Sequence, residues 1–411
     1  MALKVLICGG GVAGPALAYW LARLGHQVII VERSPALRAA GAQIDLRGQG
    51  IEAVKRMGLI DAVRKKLVNE GGVSIVDAKG KVKATILANK SGKGAQSLTS
   101  EYEIMRGDLV RILNEATKDK VKYIFAKTVD SFTQHEKGVV AYFSDGSSDT
   151  FDMLVGADGQ GSHIRRDMLP PDAPDEYHRL GVHMAYWFVP WIKSDNNMCK
   201  AYVSPGGRMI MSRSHNDTET QVYFLLRSDS EEVRNVPKGS IEQQKKFWAE
   251  NFRDAGWQAD RFIEGMQTTE NWFCQNTVQI KTDTWHSGRV VLLGDAAHCP
   301  SPLTGLGTTS SLVGAYVLAG ELARHEDMSQ AFEQYSQKMR PYIDKVQQLD
   351  ISWMRWAVPD SQWAIYILHL VVGLACFLRI PQYVSRFSND WDGDWKLPDY
   401  PELEVDRDDI E

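Results

Sequence analysis

The most constraining feature of the chain lies in its first 32 residues. A short apolar run, Val5-Leu6-Ile7-Cys8, leads into Gly9-Gly10-Gly11-Val12-Ala13-Gly14, and an apolar helical stretch follows to about Leu24, where Gly25 ends it. A second run rich in Val and Ile, His26 to Glu32, has the texture of a strand buried on both faces. Gly9, Gly11 and Gly14 form a GxGxxG pattern between a strand and a helix, the context that gives the pattern meaning. The first glycine permits the tight turn and the second lets backbone approach a pyrophosphate. The third lets helix and strand pack closely, while the helix N-terminus attracts phosphate. Glu32 closes the second strand 18 residues after Gly14, and its carboxylate can accept hydrogen bonds from both ribose hydroxyls of an adenosine. An acid there disfavours a 2′-phosphate, which leaves FAD or NAD as the dinucleotide of this site, with Arg33 as its neighbour.

The rest of the chain is ordinary for a globular protein. It has 411 residues, enough for two or three domains, with 44% hydrophobic and 24% charged residues. That excludes a disordered chain, a collagen-like repeat and a small disulfide scaffold. A net charge of −5 gives no basic footprint for nucleic acid. Five scattered cysteines with no CxxC pair suit neither zinc nor a disulfide framework, so a reducing, cytoplasmic compartment is expected. The apolar N-terminus is broken by glycines and does not read as a secretory signal. The stretch 363–380 is the other apolar segment, with only His369 and Arg379 strongly polar; the favoured reading is a buried or interdomain helix, and membrane contact is the alternative.

Helical periodicity is expected over 49–66, 107–118, 240–256 and 308–325, and short β segments over 71–88. A polar loop is expected at 89–100, and strands fill 121–155 with a turn at Asp145-Gly146-Ser147. From 178 to 280 the pattern becomes β-rich, and at 289–293 a buried strand returns. The expected fold is α/β: a Rossmann-like domain from 1–177 and 281–350, interrupted by a β-sheet substrate domain at 178–280, to which part of 71–105 contributes. A long C-terminal helix at 351–386 bridges the domains, and an acidic tail, 387–411, is surface-bound or frayed.

Two further motifs carry chemistry. Gly156-Ala157-Asp158-Gly159, followed by Ser162 and Arg165, reads as a strand, a turn and a capped helix. Gly294-Asp295-Ala296-Ala297-His298, followed by Pro300, Pro302 and Gly305-Leu306-Gly307, also lies between a strand and a helix. An aspartate there can bind a sugar-chain hydroxyl, and the glycines and helix N-terminus can meet a phosphate or an anionic ring edge. His298 reads as structural, because no partner acid is evident.

With the three motifs in this order, the chain resembles the class A flavoprotein monooxygenases, the para-hydroxybenzoate hydroxylase-like family, over roughly 1–350. The segment Gly41-Ala42-Gln43-Ile44-Asp45-Leu46-Arg47, with Gly50 and Met57-Gly58-Leu59, is similar in particular to the tetracycline-inactivating members. The resemblance implies tight, non-covalent FAD. Gly9, Gly11, Gly14, Glu32 and Arg33 would then serve its ADP half, and Asp295, Pro302, Gly305, Leu306 and Gly307 its ribityl chain and pyrophosphate. Asp158 would lie where the flavin and nicotinamide routes meet, Asp45 near the flavin, and Arg106 (with Arg111 as fallback) in contact with FAD. Thr309 and Gly314 stand where many relatives carry Asn and Asp, and the halogenase signature WxWxIP is only grazed by Trp187-Phe188-Val189-Pro190.

The activity that the resemblance implies is oxygen insertion into an aromatic or polyketide-like small molecule through a C4a-hydroperoxyflavin. NADPH would be a transient reductant and O2 the co-substrate; no metal and no catalytic side chain are assigned. His183, Arg213 and Tyr223, on expected strands of the β-rich block, are the candidate substrate contacts. Trp353, Trp356 and Trp363 are candidate core or pocket wall. Alternatives are Baeyer–Villiger insertion, reduction of a lipid-like substrate, or a catalytically silent flavin-binding protein.

Overall fold

The computed structural model describes residues 2–38, 41–88, 101–174, 176–380 and 395–404. The expected loop at 89–100 lies outside them. The glycine-rich motif opens a six-stranded sheet. In spatial order its strands are His286–Ser287, Val290–Leu292, Met153–Gly156, Lys4–Cys8, Gln27–Glu32 and Val121–Phe125, all parallel except the first. Val5, Leu6 and Ile7 are fully buried, as parallel strands sandwiched by helices require. The helix Ala13–Arg23 packs on this sheet and against the long helix Gly307–Arg324. Gly9 N donates to Val31 O, Ala157 N to Cys8 O and Leu293 N to Gly156 O, at 2.8–2.9 Å. The three glycine-containing loops therefore leave the carboxyl ends of neighbouring strands, where open α/β sheets bind ligands.

The expected helix at 49–66 is two short helices, Gly48–Arg56 and Ile60–Arg64. Gly58 breaks the run by adopting φ +72°, a conformation that costs glycine little. A three-stranded antiparallel sheet (Val129–His135, Gly138–Phe143, Ser148–Phe151) holds the Asp145-Gly146-Ser147 turn.

The second large sheet has seven strands, in the order Phe273–Ile280, Tyr177–Pro190, Glu219–Arg227, Arg208–Arg213, Met198–Ser204, Gly72–Val76 and Val82–Leu87. The early segment 72–87 crosses into this sheet, with Gly72–Val76 parallel to Met198–Ser204. Ala185, Trp187, Ile210, Val222 and Phe224 point to one face, which the helices Ile241–Phe252 and Ala259–Thr268 cover with Trp248, Phe252 and Phe262. Strand alternation puts Tyr186, Met209, Arg213, Tyr223 and Leu225 on the opposite face.

The C-terminal segments correct one expectation. The helix Gln362–Phe377 packs Ile365 and Leu368 onto Val182, Val203 and Leu225 of the second sheet, together with Met354 and Val358. It is not buried: Ile365 is its one buried residue, and among the described residues no further layer covers its other side. Trp353, Trp356 and Trp363 are exposed rather than core. Of the acidic tail, residues 395–404 are bound to the first unit. Tyr400 is buried beside Gly320, where a Cβ would run into its ring, and its hydroxyl hydrogen-bonds Glu321; Trp395 lies against Tyr342.

Candidate functional site

The site is built around close backbone approaches. Gly9 has φ +117°, and a Cβ there would collide with the Ala157 carbonyl of the second motif. A Cβ on Gly14 would collide with the Gly9 carbonyl, so the loop closes only with glycine at both places. Gly294, at φ +62°, sits between the N-terminal parts of two helices: a Cβ there would lie 2.9 Å from Ala13 Cβ and 3.0 Å from Ser311 Oγ. Those helices, Ala13–Arg23 and Gly307–Arg324, have neither a side-chain cap nor an acidic residue in the first turn. Some helices elsewhere carry a side-chain cap, Ile241–Phe252 a Ser240/Gln243 box and Met328–Val346 Asp327, but Gly48–Arg56, Arg106–Glu115 and Ala259–Thr268 do not.

Glu32 reaches the loop directly. Its Oε2 accepts from Gly10 N at 2.8 Å and its Oε1 from Ser34 N at 2.9 Å, and a carboxylate retains further lone pairs. Arg33 is exposed. Arg106 comes to the same place: a Cβ on Gly11 would be 3.3 Å from its Nη2, and one on Gly41 2.9 Å from its Cδ. Burial and the nearby Arg38 pull its guanidinium below the usual arginine range, with Asp295 and Glu32 acting in opposition. Arg111 instead pairs with Asp108 at 2.9 Å on the exposed side of its helix.

Asp158 caps the helix His163–Met168, accepting from Ser162 Oγ at 2.5 Å and His163 N at 2.8 Å. Arg165, quoted in the motif but given no role from sequence, is completely buried. It donates to Ala296 O and Gln160 O at 2.7 Å and pairs with Glu176 at 2.9 Å, which clamps the second motif onto the third. Asp295 is held above the ordinary carboxylate range by burial, against a hydrogen bond from Cys299 and the charge of Arg106. A Cβ on Gly307 would lie 3.7 Å from its Oδ1. Pro302 starts a 3-10 turn, Pro302–Thr304, and Gly305 follows at φ +66°, with Leu306 buried behind it. Asp45, paired with Arg47 at 2.6 Å, faces Gly305. Thr309 Oγ1 accepts from Arg47 N at 3.1 Å, and a Cβ on Gly50 would be 2.7 Å from it, so the close approach of the two segments requires glycine at 50. His298 lies in the core against Trp285, and burial pushes its imidazole down to about 4.

The three candidate substrate residues separate. His183 lies on the helix-covered face with Ala185 and Trp187, bonded to Asn276 Oδ1 at 2.7 Å and Ser228 O at 2.9 Å. It is a buried structural histidine directed away from the loops. Arg213 lies on the opposite face but is consumed by a buried ion-pair cluster, with Glu70 at 2.7 and 2.8 Å and Glu103 at 3.1 Å. Gln43 joins that cluster by donating to Glu103, and its backbone N–H donates to Gln221 Oε1, which also accepts from the Tyr223 hydroxyl at 2.9 Å. Glu70, Glu103 and Gln221 were not singled out from sequence, and Gln43 was quoted in a motif without a role. Tyr223 lies 5.5 Å from the Tyr186 ring, Tyr186 lies 6.3 Å from Phe273, and Arg38 stacks 5.6 Å over Phe273. Burial pushes both phenols well up, and the charge of Arg106 on Tyr186 works against this. Tyr186, Phe273 and Arg38 also went unnoticed from sequence.

An FAD binding domain family matches residues 2–350. The chain is 39% identical to the FAD-dependent monooxygenase asL4 of Sarocladium schorii over 98% of this chain and 99% of that protein. It belongs to the class A FAD-dependent monooxygenases. The monooxygenase is also 38% identical to the flavin-dependent monooxygenase eupH of a Phoma species, over 97% of this chain and 98% of the relative. The crystal structure of tetracycline destructase Tet(55) superposes with a TM-score of 0.76 at 29% identity, covering 97% and 99% of the two chains. Klebsiella pneumoniae HpxO complexed with FAD and uric acid shares the fold at 18% identity, with a TM-score of 0.71.

The residues of the monooxygenase fit FAD. Two long helices present uncapped N-termini on either side of Gly294, which suits the negative pyrophosphate. A carboxylate at the end of the second strand and a buried aspartate at the third motif offer acceptors for the hydroxyls of the two sugar-like portions.

Proposed function

We propose that the monooxygenase uses NAD(P)H and O2 to hydroxylate an aromatic or polyketide-like small molecule. The observation that carries this reading is the face of the second sheet opposite its helices Ile241–Phe252 and Ala259–Thr268, where Tyr186, Tyr223 and Phe273 form an aromatic wall close to Arg106. Flat apolar rings favour offset or edge contacts with such a wall. Support also comes from the fungal relatives and from the similarity to a protein whose name gives tetracycline as its target.

In this reading Gly9, Gly11 and Gly14 give the pyrophosphate a close backbone path. Glu32 accepts from the adenosine ribose, and Asp295 from the ribityl chain. Gly305, Leu306 and Gly307 offer backbone N–H groups to the negative edge of the ring, and Arg106 adds a buried positive charge. Asp45 and Arg47 hold the loop before Gly50 against Gly305. Bound FAD supplies electron transfer from NAD(P)H and activation of O2. The aromatic wall excludes water from the reacting centre, and the Tyr186 and Tyr223 phenols, kept protonated by burial, act as hydrogen-bond donors rather than bases.

The test is turnover of a panel of electron-rich phenolic polyketides with NADPH under isotopically heavy O2, read by mass spectrometry. One heavy oxygen in the product is expected. NADPH oxidation that yields only hydrogen peroxide across the panel, or product oxygen drawn from water, would overturn the reading.

A further inference from the structure

The C-terminal helix Gln362–Phe377 inverts the usual pattern of a surface helix. Trp363, Tyr366, Ile367, Leu370, Leu374 and Phe377 are all exposed, Leu370 at 70% and Phe377 at 83%. At a helical turn of about 100° per residue they share one arc about 100° wide. The inward side is taken by Ile365 and Leu368 on the sheet. No Asp, Glu, Lys or Arg occurs between 362 and 377. A surface helix normally turns charge outward, and an apolar face this continuous marks an interaction surface.

The surroundings of that face specify what it meets. Trp353 and Trp356, the latter 82% exposed, precede the helix in the chain and add large amphipathic rings to the exposed apolar surface. Arg355 and Arg379 flank its two ends, and Lys79 and Lys81 lie on the turn leading into Val82–Leu87, the strand the helix packs against. None of these four cations enters an ion pair among the described residues, whereas the nearby Asp77 and Asp360 are paired with Lys83 and Arg227. Pairing the face with a second copy would set like charges against each other. An anionic lipid surface complements them, with tryptophan rings at headgroup level and aliphatic side chains beneath. The helix is about 24 Å long, shorter than the roughly 30 Å hydrocarbon core. Among the described residues no helix is long and apolar enough to cross a membrane.

We propose that the monooxygenase docks peripherally on an anionic bilayer surface through the outward face of this helix. The proposal stands independently of the substrate reading. Its test is flotation of the holoenzyme with vesicles of phosphatidylcholine alone and of phosphatidylcholine with phosphatidylserine. Binding is expected, stronger on the anionic vesicles. The double variant Leu370→Glu with Phe377→Glu is expected to lower the bound fraction at least ~10-fold, because two charges must enter the acyl boundary. Arg355→Glu with Arg379→Glu is expected to weaken anionic binding by roughly fivefold or more per position. Both variants alter exposed side chains, so their flavin absorbance is expected to match the parent. Three results would overturn the proposal. The parent could stay in the soluble fraction with both vesicle types, or vesicle binding could survive Leu370→Glu with Phe377→Glu. The third is a concentration-dependent dimer, split by that variant, in a protein that ignores vesicles.

Discussion

Arg213 is the residue whose role differs most between a substrate contact and a structural one. Its guanidinium is bonded to Glu70 at 2.7 and 2.8 Å and to Glu103 at 3.1 Å, and the two carboxylates are 5% and 0% exposed. In Arg213→Met the aliphatic stem is kept and the cation removed, so two buried carboxylates lose their shared counter-charge. Removing one partner from a buried ion pair costs about 3–5 kcal/mol, mostly the penalty of the charges left behind. The variant should therefore lose about that much stability in denaturant unfolding followed by tryptophan fluorescence. Adding Glu70→Gln to Arg213→Met removes one stranded charge and should recover part of the loss; that recovery is the mark of the cluster. Because Gln43, on the short strand Gln43–Asp45 that pairs with Glu103–Met105, donates to Glu103, flavin retention should fall together with stability. A variant within about 1 kcal/mol of the parent, with only its substrate KM raised, would refute this reasoning and return Arg213 to the substrate.

Gly14→Ala places a methyl against the Gly9 carbonyl and should abolish FAD retention, read as the flavin-to-protein absorbance ratio after gel filtration. Glu32→Gln removes a charged acceptor from Gly10 N and Ser34 N; at about 1.5–3 kcal/mol for such bonds, FAD affinity measured by fluorescence quenching should drop at least ~10-fold. His298 is held down to about 4 by burial, so the unfolded chain takes its proton first as pH falls. Its contribution is complete above pH 6.5 and is lost between 6.5 and about 4, about 3 kcal/mol in all. His298→Gln should flatten the stability profile in that window, and an unchanged slope would remove this assignment. Tyr400→Ala should destabilise by about 3 kcal/mol or more in thermal unfolding, since a fully buried ring between Tyr316 and Arg324 is deleted.

The parts of the fold written by local steric demands were legible in the sequence. Gly9, Gly14 and Gly294 are glycines because a neighbouring backbone or side chain occupies the place of a Cβ, and such positions announce the strand–turn–helix unit around them. Asp158 and Ser162 are similarly local, since they cap the helix they precede. Long-range pairing was not legible. Arg213 meets Glu70 across 143 residues and Gln43 meets Gln221 across 178, and nothing in either segment names its partner. The face on which His183 sits follows from the register of a strand that shifts between Arg179 and His183 in its pairing with Phe273–Ile280, so composition could not assign it. The exposure of the helix at 362–377 was not legible for a related reason. Apolar composition states that a helix seeks cover, and only the assembled sheet shows that one side of it is covered.

The proposed activity requires this chain to hold FAD between its three glycine-containing loops and to pass reducing equivalents from NAD(P)H to O2 and a small molecule. The most direct measurement is the visible spectrum of the purified protein, followed without oxygen as NADPH is added and again when air is admitted. A yellow protein is expected that bleaches with NADPH, faster in the presence of an electron-rich aromatic, and regains its colour in air. A colourless protein that fails to take up added FAD, or a yellow one that NADPH and NADH leave oxidised with every aromatic tried, would contradict it.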